Sequence, residues 1–276
     1  MKISIITINY NNKFGFKKTI DSILCQTDQN FEFIIIDGDS TDGSKDLFRE
    51  VTIKRKIIVS EPDNGIFNAM NKGVKLAHGE YILFLNSGDS LADKSVIQNI
   101  NNSELLDQSI DVVTGDTICE KNGKFDHLWP APDFVTINTF YSGSLCHQST
   151  FIHRQLLIKY PYIESNRFCS DRQHLLNIFI NGATYKAYHS NISRFDCSGI
   201  SSSKNNEQEK QREVRKNIEE TLPLVFLSDY DLYVGQRTEL EKWIISKRNN
   251  AIIKILSSLI RVSTKVSTTI SNILKK

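Results

Sequence analysis

Hydrophobic residues fall in short, dense runs along the first ninety positions, separated by segments with helical spacing. The Ile-rich run 3–8 reads as a buried strand, and 16–24 puts Phe16, Ile20, Ile23 and Leu24 on one helical face. A second buried strand, 31–36, ends at Asp37. A helix follows over 41–51 with Ser40 or Thr41 near its cap, then a third strand over 56–60. The stretch EPDNGIFNAMNKGVKLAHGEYILFLNSGD, 61–89, supplies a loop with Asp63, Asn64 and Gly65, a helix over 66–77 and a break at Gly79. A strand over 81–85 then runs into Asn86-Ser87-Gly88-Asp89. Strand and helix alternating at this interval predict βαβ units: an α/β fold with a mostly parallel, Rossmann-like sheet flanked by helices. In such a sheet the polar strand ends, Asn9-Tyr10-Asn11, Asp37-Gly38-Asp39 and 86–89, converge on the edge where open α/β sheets present groups to a ligand.

The pattern loosens past residue 100. Strands are expected over 111–114, 147–152 and 184–188, and a loop with short elements over the Pro- and aromatic-rich 129–141. A helix over 171–180 ends at Asn181-Gly182, a good C-terminal stop. The Ser/Gly/Asn-rich 196–206 reads as mobile and 207–220 as a charged, solvated helix. No internal repeat is present.

Composition narrows the class. The 276 residues suit one large or two small domains, and 39% hydrophobic with 9% aromatic residues suffices for a packed core. Five widely spaced cysteines without a CxxC suggest neither a disulfide framework nor a zinc site, so a reducing cytoplasm is the plain reading. No apolar run reaches the length of a membrane span. Net charge is +2, but 242–276 carries eight Lys or Arg and no acid, so 1–241 sums to −6. Gly38 and Gly43 fit neither the GxGxxG fingerprint nor a P-loop. A carboxylate at the tip of a buried strand, as at Asp89, suits a divalent cation, because hard cations take oxygen ligands.

The order of these motifs carries a resemblance. A strand ending in NYN, a helix ending SILCQT, FEFIIID followed by GDSTDGS, the DNG…AMNKG helix, GEYILFLNSGD and a later Ser170-Asp171 closely resemble the family 2 glycosyltransferases of the GT-A fold, in their bacterial polysaccharide-assembly branch. The resemblance covers roughly 1–200, densely over the first ninety residues and at islands beyond. It implies a nucleotide-sugar donor, of the UDP type, over the C-terminal edge of the sheet. Asn9, Tyr10 and Asn11 would lie near the base, and Asp37 at the uracil or ribose with Asp39 close by. Asp63, Asn71, Lys72, Asn86 and Ser87 would fall on the donor side. The family's Asp-x-Asp falls on Asn86-Ser87-Gly88, which leaves Asp89 to hold Mn²⁺ or Mg²⁺. Asp171 matches the base that deprotonates the acceptor hydroxyl, and His147 with Gln148 an acceptor-side pair. Attack opposite the leaving group would invert the anomeric centre. The alternative from another class is a non-catalytic nucleotide-sugar-binding or scaffold subunit with a decayed metal motif. Nucleotidyltransferases share such a sheet but need a Gly-rich N-terminal loop, which 9–12 is not.

The domain expectation is a GT-A domain over 1–205 and a helical extension over 206–276. From 251 onward apolar residues recur at 252, 255, 256, 259, 262, 266, 270 and 273, with Lys247, Lys254, Arg261 and Lys265 on another face. A basic amphipathic helix without acids suits an anionic membrane surface, each basic residue contributing about 1 kcal/mol there; packing on the body or on a second subunit of a homo-oligomer is the rival. Nucleic acid is not an expected partner, since the body is acidic. A lipid-linked glycan acceptor and a peripheral place on the inner face of the cell membrane accord with this reading. Removal of 244–276 is expected to leave a folded, soluble body by circular dichroism and gel filtration; loss of folding would put the tail in the core.

Overall fold

In a computed structural model of the chain, which describes residues 2–197 and 206–246 with side chains to 239, the alternation expected for the first ninety residues is realised. The elements are β1 (Ile3–Asn9), α1 (Lys13–Leu24), β2 (Phe31–Asp37), a 3-10 helix (Ser44–Glu50), β3 (Lys56–Ser60), α2 (Ile66–Leu76) and β4 (Tyr81–Phe84). After them come β5 (Ser90–Leu91), α3 (Val96–Asn102), β6 (Val112–Lys121), β7 (Lys124–Trp129), α4 (Ile137–Ser142), β8 (Thr150–His153), α5 (Arg154–Lys159), α6 (Ser170–Ile180), β9 (Tyr185–Asp196), α7 (Glu207–Thr221) and α8 (Leu224–Ser246). The chain forms two compact units, Met1–Thr221 and Leu222–Lys276. The first therefore includes α7, which the expected boundary at 205/206 leaves in the helical extension. The basic tail and most of the Ser/Gly/Asn-rich stretch lie outside the described residues.

The sheet order is β3-β2-β1-β4-β8-β6-β9-β5, with β7 paired to β6. β3, β2, β1 and β4 are all parallel, whereas β8 runs antiparallel between β4 and β6. The sheet is thus parallel in its first half and mixed beyond β4. Every residue of β1 and β2 is buried, as expected for strands covered on both faces. Ile3, Ile5, Phe31, Phe33 and Ile35 pack with Phe16, Ile20 and Ile23 of α1 and with Val96, Ile97 and Ile100 of α3. On the other face, α2 lies so close that a Cβ on Gly73 would come 2.6 Å from Ile6 Cγ2.

Several elements differ from the periodicity. The helix expected over 41–51 is a 3-10 turn of Ser44–Glu50, because Asp42 Oδ1 accepts from both Ser44 N (3.0 Å) and Ser44 Oγ (2.6 Å), and Gly43 is left-handed. The strand expected over 147–152 is a 3-10 turn, His147–Ser149, before β8. β6 outruns its expected end at 114 and turns at Asn122-Gly123, both at positive φ, into β7. That dipeptide is a strong hairpin signal. The strand beyond it shows no alternation, because all six residues of β7 are exposed. The charged helix α7 is not wholly solvated, since it buries Val214, Asn217 and Ile218.

Gly79, between α2 and β4, donates its N–H to Ser4 Oγ (2.9 Å), and a Cβ there would meet Ser4 N at 2.5 Å and the Ile3 carbonyl carbon at 2.8 Å. Those neighbours are backbone and cannot rotate away. Gly79→Ala is expected to lower the unfolding free energy by about 1–3 kcal/mol or more, read as a fall in the urea midpoint; an unchanged midpoint would show that β4 can shift along β1.

Candidate functional site

The parallel register sets the first cluster. Asn9 stands opposite Asp37, and Asp37 opposite Ser60. Asp37 is fully buried and receives four hydrogen bonds: Asn9 Nδ2 (2.8 Å) and Ser40 Oγ (2.6 Å) on Oδ1, Ser40 N (2.9 Å) and Ser60 Oγ (2.7 Å) on Oδ2. Burial alone would push its carboxyl up, but the hydrogen bonds from Ser40, Asn9 and Ser60 together outweigh burial and hold it below the ordinary range. Asp37 is thereby a charged organiser of the edge. Asn9 Oδ1 accepts from Ser87 Oγ (2.8 Å), which links β1 to the turn after β4. Asn11, at φ 48°, donates its N–H to Ser40 Oγ (2.9 Å) and accepts from Thr41 N (2.8 Å). Tyr10 is 68% exposed, and a Cβ on Gly38 would lie 3.1 Å from the Tyr10 ring and 2.6 Å from Asp63 Oδ2. Tyr10, Gly38 and Asp63 therefore converge on one spot.

The turn after β4 is held by a residue of α1 that its helical periodicity does not single out. Thr19 is fully buried within the apolar face of α1. Its hydroxyl is bonded to Asp89 O (2.7 Å), Asn86 O (3.2 Å) and Gly88 N (3.1 Å). A polar position interrupting the stripe of Phe16, Ile20 and Ile23 was the available signal.

The second cluster joins three of the expected residues. His147 Nδ1 lies 3.0 Å from Asp171 Oδ2, and His147 Nε2 lies 3.4 Å from Asn86 Nδ2. The His147 and Asp171 side chains are each 19% exposed. Asp171 sits in the first turn of α6, where the helix N-terminus favours an anion. Burial would raise its carboxyl, but the His147 hydrogen bond and charge, with backbone N–H groups of the turn, hold it below the ordinary range. For His147 burial lowers, while the hydrogen bond and charge of Asp171 and the charge of Asp89 raise, and the net direction is up. An ionised carboxylate thus faces an imidazole whose charged form its acidic neighbours favour against burial. Asn86 Oδ1 is buried without a partner among the described residues. A half-turn of that amide would offer an acceptor to a charged ring, so Asn86 accommodates either protonation state of His147.

Asp89 has a different setting. It is 5% exposed, and Oδ2 accepts from Gln148 Nε2 (3.2 Å) while Oδ1 accepts from Asp196 N (3.3 Å). Burial, only partly offset by His147, the Asp196 N–H and Gln148, raises its carboxyl to about 6. The carboxylate expected to hold Mn²⁺ or Mg²⁺ is enclosed, with a protein donor on each oxygen. Among the described residues no three or more acids, histidines or cysteines gather into a metal-binding group. The donors present do not fit a divalent centre built by this chain's side chains alone.

Three further expected residues are engaged elsewhere. Asn71 is buried and ties α2 to the segment after α5, accepting from Tyr162 N (3.0 Å) and donating to Tyr162 O (2.9 Å) and Glu164 Oε1 (3.0 Å). Lys72 pairs with Glu61 (2.8 Å) and Pro62 O (3.0 Å). Asp39, left-handed at φ 65°, pairs with Lys45.

Residues 4–156 match the family described as Glycosyl transferase family 2. A PGL/p-HBAD biosynthesis glycosyltransferase of Mycobacterium tuberculosis is 31% identical over 189 residues, 67% of this chain and 72% of that protein. The UDP-Glc:alpha-D-GlcNAc-diphosphoundecaprenol beta-1,3-glucosyltransferase WfaP of Escherichia coli is 28% identical over 226 residues, 78% of this chain and 86% of WfaP. Among solved structures, S. aureus TarS 1-349 in complex with UDP-GlcNAc is similar with a TM-score of 0.63 at 18% identity, over 83% of this chain and 70% of that one. In another S. aureus TarS structure the chain spans only 42% of the neighbour's length. The mannosyltransferase PcManGT of Pyrobaculum calidifontis, in complex with GDP-Man and Mn²⁺, gives a TM-score of 0.54 at 16% identity, over 69% of this chain and 56% of that one. At these identities the structures speak for the fold alone.

The raised Asp89 carboxyl has a consequence for stability. The folded state binds a proton that the unfolded state has lost between the ordinary carboxylate value near 4 and about 6. The stability due to neutral Asp89 is present below that window and lost as pH rises through it, about 3 kcal/mol in all. Whatever Asp89→Asn costs at pH 4, its deficit relative to the wild type is expected to shrink by that order at pH 7.5, measured by urea unfolding. Parallel curves would mean that Asp89 titrates normally.

Proposed function

The chain belongs to glycosyl transferase family 2, and on that premise we propose that it transfers a sugar, with inversion, from a uridine diphosphate sugar to a hydroxyl of a lipid-linked glycan in bacterial surface-polysaccharide synthesis. The observation that carries this reading is the ionised Asp171 hydrogen-bonded to His147 at the edge where β1, β2 and β4 end. An acceptor alcohol is a weak nucleophile until a base takes its proton, and a positioned carboxylate contributes about 10²–10⁴-fold. With Oδ2 held by His147, Oδ1 of Asp171 receives the acceptor proton. The acceptor oxygen forms its bond to the anomeric carbon as the bond from that carbon to the diphosphate breaks on the opposite face. The nucleoside diphosphate departs with the electron pair.

The donor side is supported by the convergence of Tyr10, Gly38 and Asp63. An exposed aromatic ring beside a residue without a side chain suits the face of a nucleobase. The name of WfaP, with UDP-Glc as its donor, points to the same donor class. WfaP is also named for a diphosphoundecaprenol-linked acceptor, which favours a place at the membrane surface for this chain. Among the described residues no helix is long and apolar enough to cross a membrane.

Asp171→Asn is expected to lower kcat by about 10²-fold or more, while calorimetric titration with UDP-Glc and UDP-GlcNAc gives unchanged donor affinity. Turnover at the wild-type rate would remove Asp171 as the base. Absence of binding to either nucleotide sugar, with and without Mn²⁺, would remove the donor assignment.

A further inference from the structure

The family match ends at residue 156, yet Asp171 lies beyond it, on a helix whose entry is held from still further along the chain. The segment leading into α6 presents three successive backbone N–H groups, those of Arg167, Phe168 and Cys169. All three donate to one carboxylate on α7: Arg167 N to Glu213 Oε2 at 2.9 Å, Phe168 N and Cys169 N to Glu213 Oε1 at 3.0 and 2.6 Å. One turn along α7, Asn217 is 2% exposed. Its Nδ2 donates to Cys169 O (3.2 Å), and its Oδ1 accepts from Asn166 Nδ2 (3.1 Å), which also donates to Gln173 Oε1 on α6 (2.8 Å). Val214 and Ile218 bury the same face of α7. The N–H groups before a helix have no partner within it and need one from outside. Here the partner is an anion, and it fixes the backbone two to four residues ahead of Asp171.

Resting on the reading of Asp171 as the base, we propose that Glu213, with Asn217, is a positioning residue for the transfer reaction: it holds the 167–169 backbone so that Asp171 meets His147 and the acceptor hydroxyl in one geometry. It touches no substrate. A displacement of about 1 Å at a reacting group can cost about 10²-fold in rate, so the contribution of Glu213 falls on kcat and not on donor affinity. Gln in its place keeps one acceptor oxygen for Phe168 and Cys169 and turns an amide N–H₂ toward Arg167 N. Ala keeps neither acceptor.

The test is steady-state kinetics on the full chain with alpha-D-GlcNAc-diphosphoundecaprenol as the acceptor probe, read as UDP release from whichever of UDP-Glc and UDP-GlcNAc binds, with melting temperatures on the same preparations. Glu213→Gln, Glu213→Ala, Asn217→Ala and Asp171→Asn are compared with Glu209→Gln, an exposed control whose carboxylate meets the Arg167 side chain at 3.2 Å. The expected result is kcat falling in the order wild type, Glu213→Gln, Glu213→Ala, the last by about 10–100-fold. Donor KM stays within about twofold, Asn217→Ala falls between, and Glu209→Gln equals the wild type. Adding Glu213→Ala to Asp171→Asn causes little further loss. If Glu213→Ala does not fold, Glu213→Gln and Asn217→Ala decide. Lower melting temperatures with wild-type kcat per folded enzyme, while Asp171→Asn is inactive, would overturn the positioning role and leave the base intact. Wild-type turnover by Asp171→Asn would instead overturn the base reading and the proposal with it.

Discussion

Asn9, Asp37 and Ser60 stand opposite one another because β1, β2 and β3 run parallel in a single register, and the polar groups of the sheet edge are placed relative to that row. A slip of one residue would turn Asn9 toward the opposite face and set Ile8 against Asp37. Buried polar side chains further back guard against such a slip. Ser4 Oγ donates to Glu32 Oε2 (2.7 Å), and Thr7 Oγ1 donates to Leu85 O (2.7 Å). Leaving either group buried and unpaired would cost about 1–3 kcal/mol. The constraint passes from the core to the site through ordinary strand pairing, with no special backbone needed until the chain leaves the sheet at Asn11 and Asp39.

The second half of the site depends on strand direction. β8 enters antiparallel to β4, with Leu83 opposite Phe151. The start of β8 therefore lies at the end of β4, and the turn before it brings His147 to Asn86 and Gln148 to Asp89. A parallel β8 would have carried both residues to the far end of the sheet. α6 then supplies Asp171 from its first turn, where backbone N–H groups and His147 favour the ionised form.

Three aspartates at one edge have three different chemistries, and in each case the surroundings decide. Asp37 is buried but has four donors, so its charge is retained. Asp89 is buried with two long hydrogen bonds, so its neutral form gains ground. Asp171 is partly exposed, faces an imidazole and starts a helix, so it is ionised and reachable. Desolvation acts on all three; the number and charge of the donors set the outcome.

The first ninety residues were legible in the chain itself, because strands buried on both faces must be continuously apolar and amphipathic helices must repeat near 3.6, and both rules act over a few residues. The same local rules, together with the motif order, sufficed for the family and for the polar strand ends. They did not reach the β6–β7 hairpin, whose second strand buries nothing, nor the 3-10 turn at Ser44–Glu50, where Asp42 competes for the backbone. Residue type alone could not separate Asn71, tied to Tyr162, from Asn9, which orders the edge, nor distinguish enclosed Asp89 from reachable Asp171. Those distinctions are made by partners 24 to 107 positions away in the chain. Local periodicity records which face of an element is buried; only the folded chain decides which donor meets which carboxylate, because hydrogen bonding and desolvation depend on proximity in space and not along the sequence.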